Sequence, residues 1–145
     1  MSAVMLLCAD HPLPLYDSGV CRTGANSCMG HTGTAETSAF SVRAHSYYRD
    51  AVDELELPLK PWQYEVSLAA TPEDGAQLRT YLAQNLASGE TVELWNLWVG
   101  PDRQRNMPRF RGRLADLDEQ TLEQFCCPPL PWPGAPWQCR MTIEI

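Results

Sequence analysis

The chain has 145 residues, 44% of them hydrophobic and 20% charged, with a net charge of −7 and a pI of about 4.8. A chain of that length suits one domain and hides roughly 70% of its unfolded surface, so it needs no disulfide or metal to fold. The acidic balance works against broad binding to nucleic acid or anionic membrane, and no run reaches the roughly 18 apolar residues of a membrane span.

From the N-terminus, Ala3–Cys8 reads as a buried strand. The apolar start is short, lacks a basic lead, and is ended by Asp10 and Pro12, so it is not read as a secretory signal. The compartment expected from this is the cytoplasm. There Cys8, Cys21, Cys28, Cys126, Cys127 and Cys139 would stay as thiols. Residues 17–38 are dominated by Gly, Ser, Thr, Asn and Cys and read as a long loop. Phe40, Ala44, Tyr47, Tyr48, Ala51, Val52 and Leu55 then share one helical face. Because Phe40, Val42 and Ala44 also alternate, a strand followed by a shorter helix is the competing reading. Pro58 and Pro61 mark the joint with the second part.

The pattern is clearest after residue 60. Residues 62–69 alternate as a half-buried strand. Thr71, Pro72, Glu73 and Asp74 form a helix start, and Leu78, Tyr81, Leu82 and Leu86 form its apolar stripe, with Gly89 as a left-handed stop. Residues 91–99 and 109–115 read as strands. Asp116 or Asp118 caps a second helix with the stripe Leu122, Phe125 and Cys126, and Pro128 and Pro129 stop it. Residues 137–145 alternate without a break. The order strand, helix, strand, strand, helix, strand is the split order of ferredoxin-like units. The expected architecture is therefore α+β: an antiparallel sheet with that order over residues 62–145 and both helices on one face. A single domain is expected over residues 1–145. Residues 1–60 add an N-terminal strand, the long loop and a helix packed on the 62–145 unit.

Two local features carry chemistry. Cys8, His11, Cys28 and His31 form two close Cys/His pairs of the kind zinc uses, although no Cys-x-x-Cys occurs. Cys28 with His31 or His45 would also suit a thiolate–imidazole pair. The bland reading is a buried strand cysteine and loop residues brought together by chance. Gly24, Gly30 and Gly33 lack the lysine of a phosphate loop, since the one lysine is Lys60. The second feature is basic: Arg103, Arg105, Arg109, Arg111 and Arg113 stand without an acid among them. That segment carries +5, which leaves −12 on the rest of a chain of net charge −7. Three of them alternate on one strand face, expected in a hairpin with the strand before it. A solvated face balanced by neighbouring acids is the bland alternative.

Trp95, Leu97 and Val99 occupy one side of their strand, and Val92, Leu94 and Trp98 the other. Both sides need cover, from residues 1–60, from a second copy of the chain, or from a partner. The segment 128–136 is proline-rich and reads as a stiff loop. No acid–base pair, cofactor motif or nucleotide fingerprint is present, so no cofactor is expected and enzymatic activity is disfavoured. The reading is a small acidic cytoplasmic module that binds or inhibits another protein through the arginines and Trp95 or Trp98. Its character is that of the immunity proteins that neutralise bacterial toxins, a likeness of type that no motif carries. An enzyme or zinc protein built on residues 8–31 is the alternative. Nucleic-acid binding through the Arg103–Arg113 segment is a further one.

Overall fold

The computed structural model describes residues 2–17, 40–99, 108–127 and 138–145. Most of the glycine-rich loop, Cys21, Cys28, His31, Arg103, Arg105 and the proline-rich segment lie outside the described residues. Among the described residues seven strands form one sheet: β1 (Ser2–Ala9), β2 (Tyr16–Asp17), β3 (Ser41–Ala44), β4 (Trp62–Ser67), β5 (Thr91–Val99), β6 (Arg109–Arg113) and β7 (Cys139–Glu144). The helices are α1 (Arg49–Asp53), α2 (Pro72–Asn85) and α3 (Glu119–Cys126), with a 3₁₀ turn at Leu114–Asp116. The first helical stretch therefore follows the competing reading, a strand and then a short helix. No helix among the described residues is long and apolar enough to cross a membrane.

The chain is α+β as expected, but the pairing is not that of a hairpin-built unit. The strand order is β2-β3-β4-β1-β5-β7-β6, antiparallel throughout except for parallel β6 and β7. β1 stands between β4 and β5, and β7 stands between β5 and β6. The expected hairpin joining residues 91–99 to the arginine strand is thus corrected. The reason lies in side-chain polarity. β1 is apolar on both sides, with Leu7 and Ala9 buried on one and Val4, Leu6 and Cys8 on the other, so it belongs at the sheet centre. β6 carries an arginine at every second position and fits only an edge.

Local signals place the helices. The Thr71 hydroxyl accepts the Asp74 N–H at 3.1 Å, and the Asp118 carboxylate accepts the Thr121 N–H at 2.8 Å, so both caps form. The buried Asp74 carboxylate also accepts the Ala69 N–H at 2.8 Å, tying the end of β4 to the start of α2. At Gly75 a Cβ would lie 3.2 Å from the Leu122 side chain, which is how closely α3 approaches α2. Gly89 has φ +94°, the left-handed conformation predicted, but α2 ends at Asn85 and Gly89 belongs to the turn that follows.

Two cores sandwich the sheet. On one face Leu78 and Leu82 of α2 and Leu122 and Phe125 of α3 pack on Leu7, Tyr64, Val92, Leu94, Met141 and Ile143. On the other, Val52 of α1 with Tyr48, Ala51, Leu55, Leu57 and Leu59 covers Val4, Leu6, Trp95, Leu97 and Val99. The second face of β5 is therefore closed by residues 48–59 of the same chain. Leu97 is fully buried in this smaller core. Leu97→Ala should lower unfolding free energy by about 2–5 kcal/mol in urea titration. A loss under about 1 kcal/mol would mean that α1 does not hold this face closed.

Candidate binding face

β6 is an edge strand, and its alternation divides its residues cleanly. Phe110, and Leu114 just beyond the strand, pack toward the helices, while Arg109, Arg111 and Arg113 are exposed on the opposite face. The parallel register sets Arg109 beside Arg140, Arg111 beside Thr142 and Arg113 beside Glu144. Arg140 in turn lies opposite Trp95 of β5, and Thr142 opposite Glu93. Four guanidinium groups thus share one surface with two carboxylates, Glu93 and Glu144.

The carboxylates do not neutralise the surface evenly. Glu144 is shared by Arg111 at 3.7 Å and Arg113 at 4.0 Å, long contacts between exposed groups. Glu93 accepts the Trp95 indole N–H at 3.2 Å. Arg140 places its guanidinium carbon 5.0 Å from the Trp95 ring centroid, a cation–π distance, while Arg109 stands directly opposite in the ladder. Like charges directly opposite one another oppose strand pairing. An open cleft of about 720 Å³ adjoins the end of this face, with Arg79, Arg113 and Glu144 on its walls.

Of the other residues singled out by the sequence, Trp95 lies beneath this face and the rest fall elsewhere. Trp95 is only 2% exposed and serves the smaller core, and Trp98 is half-buried on the helix side of β5. Cys8 is fully buried beneath α1, and burial foremost, then Glu93, pushes its thiol well above the ordinary range. Cys139 is likewise pushed up to about 12, mainly by burial. Both thiols are buried and held protonated, which makes them poor nucleophiles as they stand. His45 is buried, its Nδ1 3.0 Å from a Glu65 carboxylate oxygen that also accepts the Tyr48 N–H at 3.0 Å. Among the described residues no group of three His, Cys, Asp or Glu side chains is placed to hold a metal ion.

His11 turns away from Cys8's core to bridge two acceptors. Its Nδ1 lies 3.1 Å from the Pro12 carbonyl and its Nε2 2.6 Å from the Glu90 carboxylate. Only the doubly protonated ring can donate to both. Nearby, the Leu13 N–H donates to the Tyr64 hydroxyl at 2.7 Å and the Tyr16 hydroxyl donates to Gln77 at 2.6 Å. Residues 11–16 are thereby strapped to Gln77 of α2, Tyr64 of β4 and Glu90 of the turn after α2.

The described positions on the face, Arg109, Arg111 and Arg113, come from one alternating run. Arg140 was not among the residues picked from the sequence, because the register of β7 on β6 is what brings it in. No known family, no curated protein and no solved structure matches the chain.

The strap gives a signed pH dependence. The Pro12 carbonyl foremost, then Glu90, raises the His11 pKa above 6.5, so its contribution is full below 6.5 and is lost as pH rises through the raised value. The Ala87 N–H foremost, then His11, lowers Glu90 below 4.5, so its contribution is full above 4.5 and is lost as pH falls through the lowered value. Both contributions are full between pH 4.5 and 6.5. An NMR titration of the His11 ring should give a midpoint above 6.5, and Glu90→Gln should bring it down. A wild-type midpoint at or below 6.5 would remove the bridge.

Proposed function

We propose that this chain is a small protein-binding module that docks an acidic partner protein on the exposed face of β6 and β7. The observation that carries this reading is the like-charge pairing of Arg109 with Arg140 on a surface where Arg111 and Arg113 share a single carboxylate. A strand pair gains no stability from that arrangement. It gains a surface suited to carboxylates, because a guanidinium fork matches a carboxylate in two hydrogen bonds. The contrast with the rest of an acidic chain adds orientation: an acidic partner is repelled by most of the molecule and drawn to this edge.

The reading is of a binder or inhibitor and not of an enzyme. The buried Trp95 acts beneath the surface, holding Arg140 over its ring, and the arginines make the contact. Cytoplasmic residence belongs to the same proposal, since it would keep Cys8 and Cys139 as the buried thiols they are.

Oligoglutamate peptide supplies the direct test, with fluorescence anisotropy as the readout. Binding should weaken steeply with added salt, because exposed charges are screened over about 10 Å at 0.1 M. The combined Arg109→Ser, Arg111→Ser and Arg113→Ser variant should bind at least about tenfold more weakly, from the loss of three charge-assisted contacts. Equal binding by that variant, with its circular dichroism unchanged, would overturn the proposal. Glu144→Gln supplies a change of opposite sign. It frees Arg111 and Arg113 from their shared carboxylate and should tighten peptide binding roughly 1.5- to 5-fold, the range for an exposed ion pair. Weaker binding in that variant would count against the face.

A further inference from the structure

The edge of β6 offers more than charge. In a parallel ladder each residue turns its N–H and C=O to the same side, and successive residues alternate sides. The Arg140 N–H reaches the Pro108 carbonyl at 3.0 Å, and Arg109 is the register partner of Arg140. Pro108, Phe110 and Gly112 therefore direct their backbone groups to β7. Arg109, Arg111 and Arg113 direct theirs away from it, to the open edge. Among the described residues β6 pairs with β7 alone. Arg109 and Arg111 thus carry edge amides and carbonyls that no other described strand pairs with, beside their exposed guanidinium groups, while the Arg113 carbonyl begins the 3₁₀ turn at Leu114–Asp116.

We propose that β6 is an acceptor edge for an extended acidic segment of a partner protein, which adds to the sheet as a further strand. This rests on the acidic-partner reading above and specifies the form of the partner. An added strand places alternate side chains on the arginine face at the same spacing of roughly 6.6–6.8 Å that separates Arg109, Arg111 and Arg113. Carboxylates at those positions lie opposite the guanidinium groups, while the backbone fills the ladder, the mode known as strand addition.

Two other occupants fit less well. A second copy of this chain pairing through its own β6 would set arginine against arginine, which repels self-association at the edge. A nucleic-acid strand presents phosphate oxygens that accept hydrogen bonds, so they satisfy the outward N–H groups but leave the outward carbonyls of Arg109 and Arg111 without a donor. A peptide supplies both.

The test uses the full chain and short synthetic peptides of equal composition and charge. One alternates glutamate with threonine, and a second groups its glutamates in a block. Two more repeat the alternating sequence with backbone N-methylation at one or the other set of alternate residues. The alternating peptide should bind at least about tenfold tighter than the block peptide, the worth of one or two added hydrogen bonds. One methylated form should lose that advantage and the other keep it, because a strand uses only one of its edges. The amide resonances of Arg109 and Arg111 should shift on binding. Equal affinity of the alternating and block peptides, or tolerance of both methylations, would overturn strand addition while leaving the acidic-face reading in place. Tighter binding of an oligothymidylate of equal charge would overturn both, as would failure of every acidic peptide to bind.

Discussion

The arrangement of the whole sheet depends on the burial of β1 on both of its faces. Leu7 and Ala9 face the helices, while Val4, Leu6 and Cys8 face α1, and each of the five is at most 6% exposed. A strand with no polar side cannot lie at an edge without leaving apolar surface in water. It takes the central position, and β4 and β5 pair with it from either side. That insertion separates the two strands that α2 connects and leaves β5 free to pair with β7. β6, among the described strands the one with a charge at every second residue, is then displaced to the rim.

The same constraint explains why two short pieces of chain are kept in place. α1 has only five residues, too few to be stable alone, and it persists because Val52 and its neighbours close the core over Trp95 and Leu97. The segment from His11 to Tyr16 has little regular structure, and it is fixed by hydrogen bonds to Glu90, Tyr64, Tyr81 and Gln77 and by tilted ring contacts of Tyr16 with Phe40 and Tyr81. Both pieces work as covers, and both leave the β6–β7 face open.

Much of this was legible in the amino-acid order, and what was not has a common cause. Alternation in residues 62–67, 91–99 and 139–144 defines strands and their two faces, and Thr71 and Asp118 announce helix starts through local hydrogen bonds. Alternation does not say which strand lies next to which. Chain order suggested that Arg109–Arg113 folds back on residues 91–99, whereas the sheet puts Cys139–Glu144 between them. The arginine run itself was visible, but Arg140 joins it only through that register. The Cys8 and His11 pair shows the converse. Its spacing resembles half of a metal site, yet Cys8 is turned into the core by strand alternation while His11 is claimed by Glu90, 79 residues away.

An arginine edge can serve to keep sheets from joining, and the proposed docking of an acidic segment would draw on the same charges. Both depend on β6 lying at the rim with its arginine amides turned outward and on β1 lying at the centre. Amide hydrogen exchange followed by NMR reads these positions directly. Slow exchange is expected along β1, with protection at Phe110 and Gly112 and fast exchange at Arg109 and Arg111 between and beside them. Uniform protection along β6, or exchange at β1 as fast as at the rim, would contradict this placement.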